Sequence, residues 1–203
     1  VSFGRFCEVP NLRPLTPWSV GINGLLMKPS LLRLLILTGF LFTGLTHAQP
    51  IDVFFGTGGK GADGIYYATF HSETGKLTEA SRAAEITSPG FLAIHPSGEV
   101  LYAVGSVEKV GGAAAYRIGK KGALEFMQFV PTGDGGAAHI AVHPSGKFLL
   151  TAQYGGGSVA LYPLDAEGNL GEPTVTEHEG GSGVVEKRQQ APHPHWCGFS
   201  PDG

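Results

Sequence analysis

The residues best suited to chemistry lie in one short segment, Arg188–His195, of this 203-residue chain. His193 and His195 are two positions apart, so in an extended backbone their side chains point to the same side. A neutral imidazole near pH 7 suits acid–base catalysis, and the planar guanidinium of Arg188 can hold a phosphate or a carboxylate. Two histidines without a nearby third ligand are weak evidence for a metal site, and no metal site is predicted. These residue types are able to perform acid–base chemistry and to bind an anion, although Arg188 also fits a surface position in a solvated loop.

These residues belong to an internal repeat of about 47 residues. Three aligned segments share a turn that begins at a proline: Phe91–Gly98, Ile140–Gly146 and Cys197–Gly203. The prolines are 48 and 57 residues apart. A second landmark, Gly-x-Leu, recurs at spacings of 47 and 46 residues and begins at Gly75, Gly122 and Gly168. Two independent landmarks with one period indicate a structural repeat.

Within the repeat, His195 departs from its counterparts. Six positions before the aligned proline stand Gly90, Ala138 and His195, so the scaffold accepts small residues where the third repeat has an imidazole. A residue that departs from its own repeat is a candidate for function. The position is expected at the start of an innermost strand, beside a central channel, where concave sites form. We therefore predict His195 as a functional residue, with His193 and Arg188 beside it as candidate substrate-binding residues.

The other histidines of the repeat are expected to be structural. His95 and His143 precede the aligned prolines in ordinary repeat positions. His139 aligns with Phe91 and Trp196, which indicates a packing position. The loop before His195 is polar, Gly-rich and about ten residues longer than its counterpart, and long loops on one face of a repeat array often carry binding.

Proline and glycine divide one period into four predicted strands: Phe91–His95, Val100–Val104, 113–118 and 124–130. Four strands in 40–50 residues, repeated, are typical of an all-β fold, the β-propeller with four-stranded blades. Residues 50–203 hold about three blades, whereas propellers usually close with four to eight. We therefore expect this region to be the incomplete front part of a longer propeller.

Composition supports this fold and excludes several classes of function. The chain has 32 Gly and 14 Pro but is 42% hydrophobic, as expected of short strands joined by turns. With 14 basic and 17 acidic residues it lacks the basic footprint of a nucleic-acid binder. Cys7 and Cys197 suggest neither a metal site nor a disulfide framework. The Gly-rich runs Phe55–Gly61 and Tyr154–Ser158 lack phosphate-loop spacing and are predicted as tight turns with positive φ, so no cofactor is predicted.

The first fifty residues are predicted to be a leader rather than part of the propeller. After Met27, a positively charged segment is followed by the apolar run 34–45, and small residues precede a possible cleavage site after Ala48. This order is typical of a secretory signal peptide. The apolar run reaches about 18 Å as a helix, short of the ~30 Å membrane core. We expect an upstream extension at 1–26, a signal peptide at 27–48, and an exported protein, periplasmic or extracellular. An uncleaved leader would be a membrane anchor.

The segments Ala138–Tyr162 and Arg188–Gly203 resemble the lactonase family of seven-bladed β-propellers. That family includes the propeller-type 6-phosphogluconolactonase and the 3-carboxy-cis,cis-muconate cyclase. The resemblance covers nearly all of residues 50–203, and its most specific motif is Pro-His-x-His before Phe-Ser-Pro-Asp-Gly. One conservative departure is Gln153, where the family has Asn before Tyr-Gly-Gly-Gly. The resemblance implies three blades of seven, with His195 as the catalytic histidine and an arginine and a carboxylate supplied by later blades.

The resemblance and His195 together predict an enzyme that hydrolyses a sugar lactone, with a small lactone or carboxylate as its partner. Phosphogluconolactone belongs to cytosolic metabolism, so export would favour other sugar lactones. One alternative is a cyclase that reuses the same groups to hold carboxylates and deliver a proton to carbon. Another is a non-enzymatic exported propeller that binds protein or glycan and needs no cluster of His, Arg and carboxylate at its channel.

Overall fold

The computed structural model describes residues 49–59 and 61–202, and the predicted extension at 1–26 and leader at 27–48 lie outside them. The described residues form twelve β-strands and one turn of 3-10 helix at Lys120–Gly122. The strands are β1 Ile51–Gly56, β2 Gly64–His71, β3 Lys76–Leu77, β4 Ser81–Glu85, β5 Leu92–Ile94, β6 Val100–Val107, β7 Val110–Ile118, β8 Leu124–Pro131, β9 Ala137–Val142, β10 Phe148–Gln153, β11 Ser158–Pro163 and β12 Thr174–Glu177. No helix in this part of the chain has the length and apolar character of a membrane span.

The second and third sheets are the four-stranded blades that the repeat predicts. Strands β5 to β8 pair in sequence order as an antiparallel meander, and β9 to β12 repeat that order. The Gly-x-Leu landmark marks the same left-handed turn each time, with φ of 67°, 70° and 83° at Gly75, Gly122 and Gly168. The prediction of an all-β fold with four-stranded propeller blades is therefore confirmed.

Among the described residues, the first sheet has no counterpart of β5 and β9. Its strand β1 pairs with β2, and β3 and β4 both pair with the other edge of β2. Among residues 49–59 and 61–202, no strand lies beside the free edge of β1. This blade therefore has its outer strands in place and an open inner edge, whose backbone groups are free to pair with a further strand.

The sheets stack because β6 is buried on both faces. Its residues Val100, Tyr102 and Val104 pack into an apolar cluster with residues of the third sheet. Leu101 and Ala103 point the other way and pack into a second cluster with residues of the first sheet. Alternate side chains of a strand face opposite sides, so a strand between two sheets must be apolar throughout. This explains the continuous apolar run at the start of β6.

His95 and His143 stabilise the Pro-Ser-Gly turns, which confirms their predicted structural role. In both turns the histidine Nδ1 accepts the backbone N–H of the serine two residues later, at 3.1 Å and 3.0 Å. A neutral imidazole that accepts at Nδ1 carries its proton on Nε2. In His95 that N–H donates to the carbonyl oxygen of Gly146 at 3.1 Å. The turn of one blade is thereby bonded to the turn of the next.

The start of β7 differs from the sequence-based prediction. The turn Glu108–Lys109, with φ of 50° and 69°, closes the β6–β7 hairpin, so β7 begins at Val110 rather than at residue 113. A two-residue hairpin turn with positive φ matches the strand twist. Residue 112, inside this strand, must be glycine, because a Cβ atom there would come within 2.4 Å of the Val130 carbonyl oxygen.

An innermost strand is expected to start near His195, but residues 191–200 contain no strand. Strands β5 and β9 each pair with the strand that follows their turn, and no such strand lies beside this segment among the described residues. Cys197 is nevertheless buried, and burial raises the pKa of its thiol to about 11. It therefore packs as a small apolar residue.

Replacing Tyr102 with phenylalanine is expected to lower the free energy of unfolding of the full-length protein by about 1–3 kcal/mol. Tyr102 is fully buried, and its hydroxyl donates to the carbonyl oxygen of Gly168 at 2.7 Å. Gly168 lies in the loop between β11 and β12, and the substitution leaves its buried carbonyl oxygen without this donor. Tyr66→Phe is the matched control, because the Tyr66 hydroxyl bonds Asp63 at the surface. Denaturant unfolding measures both variants, and equal losses would contradict the prediction.

Candidate functional site

Tyr154 brings His193 and His195 together. Its ring stacks on His193, with ring centroids 4.5 Å apart and planes 17° apart. The same ring meets His195 edge-on, at 5.5 Å and 84°. The Tyr154 carbonyl oxygen also lies 2.8 Å from His193 Nδ1. Both imidazoles thus contact one tyrosine.

These contacts give the two histidines different properties. A carbonyl oxygen only accepts, so His193 Nδ1 must carry a proton, and Nε2 of the neutral ring keeps its lone pair. His195 is exposed, and no hydrogen bond engages its ring within the described residues. The arrangement therefore offers one imidazole with a fixed tautomer beside one that can exchange protons with a ligand.

The turn that carries Tyr154 packs against the loop that connects β8 of the second sheet to β9 of the third. The Asp134 carboxylate accepts the Ser158 hydroxyl at 2.7 Å. A Cβ at Gly156 would lie 1.3 Å from that carboxylate, and a Cβ at Gly155 would lie 2.9 Å from the same loop's backbone. The prediction of positive φ is correct for Gly157, at 83°, but wrong for Gly155 and Gly156. Those two positions need glycine because the neighbouring loop leaves no room for a side chain.

Gln153, which immediately precedes this turn, is structural, as expected. Its side chain is fully buried. The amide donates to the carbonyl oxygens of Thr151 and Ser158, at 3.1 Å and 2.9 Å, and accepts the Thr151 hydroxyl at 2.5 Å. A satisfied buried amide ties β10 to β11 at the position where Tyr154 begins the turn.

His139 lies between the aligned residues Phe91 and Trp196, with ring centroids 4.3 Å and 5.7 Å away. These three positions, one from each repeat, form an aromatic ladder across successive blades, which confirms the predicted packing role of His139. Its Nδ1 lies 3.5 Å from the backbone nitrogen of Cys197, which donates. Burial first, and the neighbouring imidazole of His195 second, lower the pKa of His139 below its ordinary value.

We expect His139→Phe to make the full-length protein less sensitive to acid. Because the pKa of His139 is lowered in the folded protein, the unfolded chain takes up this proton first as the pH falls below 6.5. The contribution of neutral His139 to the free energy of unfolding is complete above pH 6.5. It is lost as the pH falls from 6.5 toward the lowered pKa of the folded protein. Phenylalanine stands at the equivalent position 91, so it fits the aromatic ladder. Thermal unfolding midpoints between about pH 7.5 and pH 5 test this, and parallel curves for the two proteins would contradict it.

Arg188 lies in the exposed loop that follows β12, residues 178–191. The loop is folded on itself, since the side-chain oxygen of Gln189 accepts the Ser182 hydroxyl and the Val185 N–H, both at 3.0 Å. The Arg188 side chain is exposed and, within the described residues, forms no ion pair and no side-chain hydrogen bond. Its guanidinium is available to bind an anion. This exposure is consistent with a substrate-binding role and equally with a surface position in a solvated loop.

The predicted site residues lie outside the cavity that forms at the Pro-Ser-Gly turns. A cavity of about 470 Å³ lies at the Pro-Ser-Gly turns, lined in part by His95, Lys147 and Phe148, and none of the three predicted site residues lines it. In the described part of the chain, no three His, Cys, Asp or Glu side chains could together hold a metal ion. Inner-strand starts from several blades are needed to enclose a channel mouth, and these blades supply part of such a ring.

Tyr154 is the site residue that the sequence analysis missed. The run from Tyr154 to Ser158 was interpreted only as a turn between two strands. One signal could have pointed to it, because this turn lies at the same end of the blade at which the inner strands begin. An aromatic residue at that end, directly before three glycines, is placed to contact the segment that enters the next blade.

The chain is similar in sequence to proteins that are named as enzymes. Over 143 residues the chain is 33% identical to the 6-phosphogluconolactonase of Bacillus subtilis, a match that covers 70% of this chain and 41% of the relative. It is 29% identical over 144 residues to the 6-phosphogluconolactonase of Formosa agariphila, with the same two coverages. The chain thus spans about two fifths of the length of these curated relatives.

The fold comparison gives the same relationship. The periplasmic gluconolactonase PpgL of Pseudomonas aeruginosa matches with a TM-score of 0.69 at 29% identity, over 76% of this chain and 46% of that structure. The model of the family described as Lactonase, 7-bladed beta-propeller matches residues 52–203. With its repeat, its four-stranded blades and three quarters of its length matched, this chain belongs to the seven-bladed β-propeller lactonase family.

Proposed function

We propose that the full-length protein hydrolyses a sugar lactone and that His195 is its acid/base residue. The observation that carries this proposal is the pair of imidazoles on Tyr154, of which His195 is exposed and unbonded within the described residues. Two relatives are named 6-phosphogluconolactonase and one structural neighbour is named a gluconolactonase, which supports a lactone of a sugar acid as the substrate class.

In the proposed reaction, neutral His195 takes a proton from a water molecule as that water attacks the lactone carbonyl carbon. The carbonyl oxygen becomes negatively charged, and a guanidinium nearby stabilises it. When the ring C–O bond breaks, protonated His195 returns its proton to the departing ring oxygen. The product is an open-chain hydroxy acid, and His195 is neutral again.

The substrate-binding roles follow from the donor and acceptor properties of each side chain. His193 presents an Nε2 lone pair, so it would accept a hydrogen bond from a sugar hydroxyl group rather than bind an anion. Arg188 has donors only and a permanent charge, so it would bind a phosphate, a carboxylate or the charged carbonyl oxygen. A further arginine and a carboxylate from later blades would complete the site.

We propose that the leader at 27–48 exports the protein and is cleaved before Gln49. The periplasmic location in the name of the Pseudomonas aeruginosa neighbour supports export. An exported enzyme would meet unphosphorylated sugar lactones, because phosphorylated sugars belong to cytosolic metabolism. Cell fractionation with amino-terminal sequencing tests this, and an uncleaved cytosolic protein would contradict it.

The activity is tested with the full-length protein and two substrates, glucono-δ-lactone and its 6-phosphate. Acid release is followed with a pH indicator and corrected for spontaneous hydrolysis. We expect saturable hydrolysis of at least one lactone. Hydrolysis of neither would contradict the proposal. Binding of a glycan or protein would then favour a non-enzymatic propeller, and lactone formation from a carboxymuconate would favour a cyclase.

A further inference from the structure

The contacts of Tyr154 join two parts of the chain that are distant in sequence. Tyr154 begins the turn between β10 and β11, and His193 lies 39 residues later, beyond the exposed loop. The carbonyl oxygen of Tyr154 accepts a hydrogen bond from His193, and its ring contacts both imidazoles. Its hydroxyl group has no hydrogen bond to the described residues. The ring and the backbone, and not the phenol oxygen, therefore make the connection.

The backbone is restrained on both sides of this connection. Pro192 and Pro194 flank His193, and a residue before proline is confined to extended conformations, so the His193 backbone has few alternatives. On the other side, the turn that carries Tyr154 is confined by the Asp134 loop and by the bond from the Gly157 N–H to the Gln153 carbonyl oxygen, at 2.9 Å. Two restrained segments meet at one aromatic contact.

We propose that Tyr154 is a positioning residue for the two site histidines. Its carbonyl oxygen sets the Nδ1–H tautomer of His193, its stacked ring sets the plane of that imidazole, and its edge contact limits the rotation of His195. The catalytic consequence rests on the proposed lactonase function, whereas the geometry does not. Misplacing a catalytic group by about 1 Å can cost roughly 10²-fold in rate. Because His195 lacks a hydrogen bond within the described residues, the tyrosine ring is the contact that orients it.

The test compares Tyr154→Phe and Tyr154→Leu in the full-length protein, with Tyr66→Leu as a matched variant that touches neither histidine. Imidazole ¹H–¹⁵N NMR spectra report the tautomer and the ring-current shifts of His193. We expect the unsubstituted protein and Tyr154→Phe to show neutral, Nδ1-protonated His193 with ring protons shifted by the stacked aromatic ring. Tyr154→Leu should lose that shift, and its kcat should fall about 10–100-fold while Tyr154→Phe stays within about twofold. Tyr66→Leu should leave the His193 signals and kcat unchanged.

Three results would overturn the proposal. One is Nε2-protonated His193 in the unsubstituted protein, which needs no variant and no substrate. Another is a Tyr154→Leu protein whose imidazole signals and kcat match those of the unsubstituted protein. The third is a Tyr154→Phe protein whose kcat falls as far as is expected for Tyr154→Leu. This result would overturn the proposal even if the Tyr154→Leu protein fails to fold. If no variant and no unsubstituted protein hydrolyses a lactone while the NMR changes appear as expected, the lactonase function is wrong and the positioning role of Tyr154 stands.

Discussion

Replacing His195 with alanine or asparagine in the full-length protein is expected to lower kcat for lactone hydrolysis about 10²–10⁴-fold. Neither substitute can take up a proton near pH 7, so water would have to attack the lactone without a base. The His195 side chain is exposed, and we expect the free energy of unfolding to change by less than about 0.5 kcal/mol. Steady-state kinetics and denaturant unfolding of the same preparations separate loss of chemistry from loss of fold.

The matched control for this experiment is His71→Ala. His71 is also exposed, but it lies at the end of β2 in the first sheet and takes no part in the candidate site. Its removal should leave kcat unchanged. Full activity in both His195 variants would refute the assignment of His195, and an equal loss in the His71 variant would show that the effect is not specific to the site.

The largest expected effect on stability comes from Leu101→Ala, which should lower the free energy of unfolding by about 2–5 kcal/mol. Leu101 is fully buried between the first and second sheets, where it packs with Ile65, Ile86 and Tyr116. Removing its three outer carbon atoms loses apolar burial and leaves a cavity, because two opposed sheets cannot collapse locally as a loop can. Denaturant unfolding of the full-length protein measures the loss.

The control for Leu101→Ala is the same change at Leu77, whose side chain is 51% exposed in the two-residue strand β3. We expect Leu77→Ala to change the unfolding free energy by less than about 0.5 kcal/mol. Under conditions where both variants remain folded, kcat should equal that of the unsubstituted protein. Equal destabilisation by the two substitutions would contradict the view that contacts between sheets stabilise this fold.

The blades could be predicted from the sequence because proline and glycine mark the same turn in each repeat. Gly98 and Gly146 follow Pro-Ser in both inner turns, and both adopt positive φ, 77° and 71°. The hairpin at Glu108–Lys109 could not be predicted in this way, since neither residue type favours positive φ. There the burial of β6 and β7 on both faces sets the register, and the turn must adapt to it.

The candidate site could be predicted in part. His195 was recognisable because Gly90 and Ala138 occupy the same position in the other repeats, so a comparison within the chain isolates the imidazole. The strand order could have placed Tyr154 at the correct end of the blade, but not its role, because that role depends on a contact with a residue 39 positions later, which no local pattern contains. The fixed tautomer of His193 was hidden for the same reason, since a backbone carbonyl oxygen leaves no signature in the sequence.

The two loops beside the histidines differ in how much change they can accept during evolution. An insertion or a larger residue at Gly155 or Gly156 would collide with the Asp134 loop and displace Tyr154. The loop at 178–191 is exposed and bonded largely to itself, and each doubling of a loop's length costs only about 0.6 kcal/mol in closure entropy. Diversification of substrate range should therefore proceed by insertions and charge changes at 178–191, while the turn that carries Tyr154 keeps its length and its glycines.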